Sequence, residues 1–366
     1  NFFYEMDAFM TVAYSYYYNY EFKKALKLFK EGEQKALLKK DTSVQSKFLN
    51  AIAMCYEQLA EYKKASLYYS KALAIDKLFK DSVGMPISLG NLANTYNAMG
   101  KTDSAIVFQK QAIAIREKQN TPKIHNNYNN LGTYYHVLGR YDLAIENYLK
   151  AAEIRKKEKI FDLEASTYAN LSGLFSSLKD HKNCISYAKK SEEIFIREDF
   201  QQQLGKLYSI IGGEYKRVKK YNQAATYFNK ALTIAEKIND QKSKAIDLHN
   251  IGTLYDEQLH YKKAIDYYQQ SLKLKTELEL QENSIKTIIN IGGVLTKLNQ
   301  NDSAEVMLLK GYKLARKHHL LIEQKAALEK LAEHYAKIGK HEAAFNYRTQ
   351  ESYLKDSIFN DNYTDK

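Results

Sequence analysis

Five asparagines, Asn91, Asn130, Asn170, Asn250 and Asn290, recur at nearly one interval, and Ile210 stands where a sixth would fall. An Asn amide offers donors and an acceptor together, so a row of them can hydrogen-bond the backbone of an extended peptide without demanding one sequence. One helical turn upstream of Asn130, Ile210 and Asn290 stand Asn126, Lys206 and Lys286, and Lys216 and Arg217 follow Ile210. These are side chains able to meet a carboxylate or an acidic side chain.

Other chemistry-bearing residues lead nowhere. Gly100-Lys101-Thr102 has the tail of a phosphate-binding loop, but Thr95 occupies the place where that loop requires its first glycine. His181 and Cys184 share a helical face, yet two ligands do not make a zinc site, and neither Cys-x-x-Cys nor His-Glu-x-x-His occurs. His318-His319, His334 and His341 fall near predicted helix ends, where an exposed or dipole-stabilised imidazole is ordinary. Kinase glycine loops, catalytic Asp motifs and nucleophile elbows are missing, so no catalytic residue, cofactor or metal site is expected.

The elements that must position the asparagines follow from spacing. A small residue recurs at Ala25, Ala65, Ala105, Ala144, Cys184, Ala224, Ala264, Ala304 and Ala344, in steps of 40 with a single step of 39. Twelve residues before each stands another: Ala13, Ala53, Ala93, Gly132, Ser172, Gly212, Gly252, Gly292 and Ala332. An apolar residue precedes this second series directly, and an aromatic follows it by three, Leu295 excepted. Spacings of three and four define one helical face. Each unit therefore reads as helix A, a short turn and helix B, with small residues letting the paired helices approach. Gly100, Gly139, Gly339 and Asn299 fall in the turns, where a left-handed helix end is expected.

Composition fits one continuous object. The 366 residues include only two prolines, Pro86 and Pro122, and no linker-like tract. With 45% hydrophobic and 27% charged residues, the chain has enough apolar material for a core. No apolar run approaches the roughly 18 residues of a membrane helix. The opening Asn1-Phe2-Phe3-Tyr4 carries neither an initiator Met nor a signal-peptide pattern, so the sequence reads as a fragment or a processed form. Cys55 and Cys184 lie in different repeats, which rules out a disulfide framework as the main source of stability. The formal charge of +12 is spread along the chain, interleaved with acids, and reads as a solvated surface. Most of the 31 tyrosines fall at recurring core positions, so direct nucleic-acid binding is not expected.

The pattern resembles the tetratricopeptide repeat, most closely where Tyr128, Leu131-Gly132, Tyr135, Ala144, Tyr148 and Ala151 stand in the family's order. The usual Trp is replaced by residues such as Phe9, Leu49 and Tyr168, the closing Pro is absent, and the period is 40. That length is similar to the long repeats of kinesin light chains and bacterial peptide-sensing regulators. The resemblance implies an all-α, right-handed superhelical α-solenoid of about nine antiparallel helix pairs over residues 1–351, with 352–366 a helix end or junction. It also implies that the A helices line the concave face, which would put the asparagines and basic residues named above on a peptide-binding surface.

The run from Ser352 to Asn360 resembles the end of the repeat region in bacterial signalling proteins, before a kinase or a DNA-binding output. The expected role is thus a non-catalytic scaffold for a protein or extended peptide, the sensory region of a signal-transduction protein. A stand-alone adaptor and the regulatory region of a transcription factor are the alternatives. A membrane-anchored sensor would be periplasmic, and a transcriptional regulator or adaptor cytoplasmic.

Overall fold

The computed structural model describes the backbone of residues 2–119 and 123–364, and the side chains of 4–119 and 123–355. Asn1, Pro122 and the side chains of the run from Asp356 to Asn360 lie outside the described residues. Every described element is an α-helix. Two compact units appear, Asn1–Leu178 and Lys179–Lys366.

The first unit comprises α1 (Phe2–Tyr18), α2 (Phe22–Leu38), α3 (Thr42–Gln58), α4 (Tyr62–Leu78), α5 (Gly84–Ala98), α6 (Thr102–Gln119), α7 (Ile124–Val137), α8 (Tyr141–Lys157) and α9 (Phe161–Ser177). The second comprises α10 (His181–Arg197), α11 (Gln201–Arg217), α12 (Tyr221–Lys237), α13 (Gln241–Glu257), α14 (Tyr261–Glu277), α15 (Gln281–Lys297), α16 (Asn301–Lys317), α17 (Leu321–Lys337) and α18 (His341–Thr364). Odd-numbered helices are the A helices of the sequence pattern and even-numbered ones the B helices.

The turns explain the period. Between α1 and α2, Tyr20 takes φ 63°, its N–H donates to Tyr17 O at 3.1 Å, and Glu21 N–H donates to Tyr16 O at 2.9 Å. This pair of bonds satisfies carbonyls that the helix end leaves open, and it reverses the chain within a few residues. The same pair closes α13, where Leu259 N–H reaches Asp256 O and His260 N–H reaches Tyr255 O. Gly100 and Gly339 hold the left-handed position at φ 77° and 78°, where a missing Cβ removes the steric penalty.

The small residues sit where neighbouring helices cross. Ala25, Ala65, Ala105, Ala144, Cys184, Ala224, Ala264 and Ala304 are all fully buried. Large side chains four positions along helix B fill the opposing space, among them Phe29, Tyr69, Tyr148, Phe228, Tyr268 and Leu308. A buried ring of this kind contributes on the order of 1.5–3 kcal/mol. Within a pair, Tyr215 stacks on Tyr227 and Tyr255 on Tyr267, with centroids 5.5 and 5.4 Å apart. Core packing therefore accounts for these tyrosines.

Candidate functional site

In the first unit α1 touches α3, α3 touches α5, α5 touches α7 and α7 touches α9, and in the second unit α11 touches α13, α13 touches α15 and α15 touches α17. Among the described residues no two even-numbered helices touch. The A helices thus form the tighter row of each unit. Flanked by B helices and by other A helices, each keeps one open face, the stripe that carries the asparagines.

In the first unit this stripe holds no charge from α5 to α9: Asn91 and Asn94, then Asn130 and Thr133, then Asn170 and Ser177 are typical of it. In the second unit it is predominantly basic, with Lys206, Arg217, Lys286, Lys297, Lys330 and Lys337 against Glu257 and Glu333.

The predicted site residues differ in their engagement. Asn130 donates its amide to Asn94 Oδ1 at 3.1 Å, and Asn170 donates to Asn129 Oδ1 at 3.3 Å, so both tie one A helix to the one before it. Asn126 Oδ1 accepts from Arg155 Nη2 at 2.9 Å. Asn290 donates to the Tyr268 hydroxyl at 3.4 Å. The half-buried amides of Asn91 and Asn250 have no side-chain partner among the described residues. Lys206 and Lys286 are exposed. Lys216 meets Glu257 at 2.9 Å, and Arg217 grips the buried Glu214 at 2.5 Å through Nη2 and 3.1 Å through Nε.

Sequence reasoning missed a set of buried or half-buried rungs between successive A helices, thirty-eight residues apart. Asn50 Nδ2 donates to Ser88 Oγ at 3.1 Å, Thr167 Oγ1 to Asn129 Oδ1 at 3.4 Å and Ser209 Oγ to Asp247 Oδ1 at 2.5 Å, and His249 Nδ1 lies 3.0 Å from Thr287 Oγ1. A polar B-helix side chain reaches three of them. Ser88 donates to Asp76 at 2.6 Å, Arg155 donates to Thr167, and Lys275 Nζ donates to Thr287 at 2.8 Å. The signal was there: Asp76, Arg155 and Lys275 each stand eleven residues after the small residue of their B helix, on its apolar face.

Burial sets the electrostatics of these groups. It pushes the Asp247 carboxyl up to about 6, against the hydrogen bond from Ser209. Burial, reinforced by Lys286, pulls the Lys275 ammonium down to about 8, and burial with Lys275, Lys286 and Lys216 pulls the His249 imidazole to about 3. His334, expected near a helix end as an exposed or dipole-stabilised imidazole, stands in the last turn of α17 but is fully buried, 3.1 Å from Thr296 Oγ1 in another rung. The ring sits on the inward side of the last turn of α17, so neighbours cover it.

The groups considered for metal or thiol chemistry have structural partners. His181 Nδ1 lies 3.1 Å from Glu214 Oε1, and Cys55 and Cys184 are buried. Among the described residues no group of three metal-ligating side chains occurs, and no helix is long and apolar enough to cross a membrane.

Comparison with known proteins places this architecture. The family model described as tetratricopeptide repeat matches residues 44–118, 123–197 and 204–277, well over half of the chain. Among solved structures, aspartyl phosphate phosphatase F from Bacillus subtilis is similar with a TM-score of 0.61 and 17% identity, over 96% of this chain and 94% of that one. A Rap protein complexed with competence and sporulation factor gives a TM-score of 0.60 at 15% identity, over 97% and 99%. A signal transduction ATPase with a tetratricopeptide repeat sensor from Pyrococcus horikoshii gives 0.64 at 15% identity, over 93% of this chain and 55% of that one. At such identities the likeness is one of fold. No curated protein matches the chain.

Proposed function

We propose that this chain, which belongs to the tetratricopeptide repeat family, holds an extended segment of another polypeptide along the open stripe of its A helices. The repeats make a protein-interaction scaffold, and the solvent-facing stripe of recurring amides is the observation that carries the reading. Asn91 and Asn250 keep free amides there, and a peptide backbone is their natural complement. The basic residues Lys206, Lys216, Arg217 and Lys286, with Asn126, Asn130, Asn170 and Asn290, complete the proposed surface.

The role we assign is the sensory or interaction region of a bacterial signal-transduction protein, without catalysis of its own. Its support is the likeness in fold to a Rap protein complexed with competence and sporulation factor and to a signal transduction ATPase whose tetratricopeptide repeats are described as a sensor. A photo-crosslinking residue at Ile87 or Ile246, both exposed on A helices, should capture a partner from lysate, and one at the exposed Leu67 on α4 should not. Capture from Leu67 alone would place binding on the B helices and defeat the proposal.

A further inference from the structure

Two neighbouring turns of the first unit carry an exposed apolar patch that the other repeats avoid. Antiparallel helices in alternation put every turn from a B helix to the next A helix at one edge of the unit. At that edge Leu38 ends α2 and Leu78 ends α4, 82% and 75% exposed. Each stands thirteen residues after the small residue of its B helix, where the next six repeats have Lys118, Lys157, Arg197, Lys237, Glu277 and Lys317, all exposed. The helix macrodipole favours a cation at this place. The two leucines forgo that stabilisation and, at such exposure, gain little burial in exchange, so folding does not account for them. Leu37, Phe79 and Val83 widen the patch, each more than half exposed. Single exposed apolar residues are ordinary, whereas a group of them on adjoining turns marks a contact surface.

Lys39, Lys40, Lys77 and Lys80 are interleaved with these tips, all exposed and without a salt-bridge partner among the described residues. The acids of the two turns are folded back on the next helix. Asp41 Oδ1 accepts from Val44 N–H at 3.0 Å, and Asp81 Oδ1 accepts from the N–H groups of Val83 and Gly84 at 2.9 Å. The rim of the patch is therefore positive.

We propose that this edge docks on an anionic lipid bilayer, with the leucine and phenylalanine tips entering the headgroup layer and the lysines on its negative groups. The inference is independent of the peptide-binding stripe, because it uses the turns and not the open face of the A helices. Shape and charge complementarity select this occupant. Side chains as exposed as Leu38 and Leu78 stand clear of the surface and line no groove. A rigid partner would need a matching cavity for each tip, whereas a fluid bilayer closes around them. Lysine stems lie along apolar surface while their heads reach outward, so tips and cations of one turn engage the same layer together. Each cation held near an anionic surface strengthens binding by a factor of about five, and apolar burial adds to it.

The test is flotation of the full chain with vesicles of phosphatidylcholine containing about 30% phosphatidylserine. The chain should float with these vesicles at about 0.1 M salt and stay in solution with phosphatidylcholine alone. Leu38→Gln with Leu78→Gln should weaken binding about tenfold or more, and Lys39→Gln with Lys77→Gln about twentyfold. Leu67→Gln, an exposed change near the start of α4, should leave binding unchanged. All the replaced side chains are exposed, so melting temperatures should match that of the natural chain and separate lost binding from lost folding. Because Cys55 and Cys184 are buried, an environment-sensitive fluorophore can be placed on Leu78→Cys, where its emission should shift to the blue with the phosphatidylserine vesicles. The same probe on Leu67→Cys should not shift. Binding to neither vesicle, equal binding to both, or full binding by the leucine pair overturns the proposal. A protein captured by a crosslinking residue at Leu78, with no vesicle binding, overturns it in favour of a protein partner.

Discussion

Gly252 on α13 faces Tyr268 on α14 so closely that a Cβ added to the glycine would stand 2.7 Å from the ring. Gly132 meets Tyr148 and Gly212 meets Phe228 in the same way, at 2.8 and 2.6 Å. The large B-helix side chain thus occupies the volume that the missing A-helix side chain leaves, and the helix pair closes over it.

Gly252→Leu should therefore overpack the α13/α14 contact and lower stability by roughly 1–3 kcal/mol. Gly213, also within a helix, has open space around its Cβ position, so Gly213→Ala should be neutral or stabilising by up to about 1 kcal/mol. Urea denaturation of both variants checks the contrast. Equal losses in the two would mean that the close approach at Gly252 is not what the pair depends on.

Replacing Asn130, Asn170 and Asn250 together by Ala should weaken partner binding and leave helicity unchanged. The inter-helix bonds of Asn130 and Asn170 are solvent-exposed, so their loss should cost no more than about 0.5–1.5 kcal/mol each. Far-UV circular dichroism and a binding titration report the two effects separately. Full affinity in the triple variant would remove the asparagines from the site.

Asp247 should make stability fall as pH rises. Its carboxyl pKa is raised by burial to about 6, so the folded state binds the proton more tightly than the unfolded chain does. The stabilisation is present below the ordinary carboxylate range and is lost as pH climbs through about 6, an effect on the order of 2–3 kcal/mol. Asp247→Asn keeps an acceptor for Ser209 and removes the titration. It should be more stable than the natural chain at pH 7, with a flatter profile between pH 4 and 6. Superimposable profiles would contradict this.

Thr287→Val keeps the shape of the side chain but withdraws the hydroxyl that serves Lys275 and His249. With two buried polar groups then unsatisfied, stability should drop by roughly 1–3 kcal/mol. Exposed Thr226, whose hydroxyl bonds only to Asn222 O within its own helix, should tolerate the same change with little effect. Thermal melts of the pair distinguish a rung from an ordinary threonine.

Much of the fold was legible because its constraints repeat locally. Ala25 and its equivalents must be small wherever two helices cross, and an A–B pair is built from residues close in sequence, so the spacing shows without knowledge of distant neighbours. The asparagines were legible as a row for the same reason. What their amides do was not, because that depends on the adjacent A helix: Asn94 and Asn129 occupy the amides of Asn130 and Asn170, and nothing among the described residues occupies that of Asn250.

Sequence alone thus determined that the chain is helical, where its helices turn, and which residues must be small, since steric size at a fixed period leaves its mark directly. Only the tertiary structure decided which polar residues are buried. Lys275 is one of 55 basic residues in the sequence, and nothing in its type separates it from exposed Lys273 two positions away. Its place against Thr287 of the next repeat makes it a buried charge, because burial is a property of neighbours brought together by stacking.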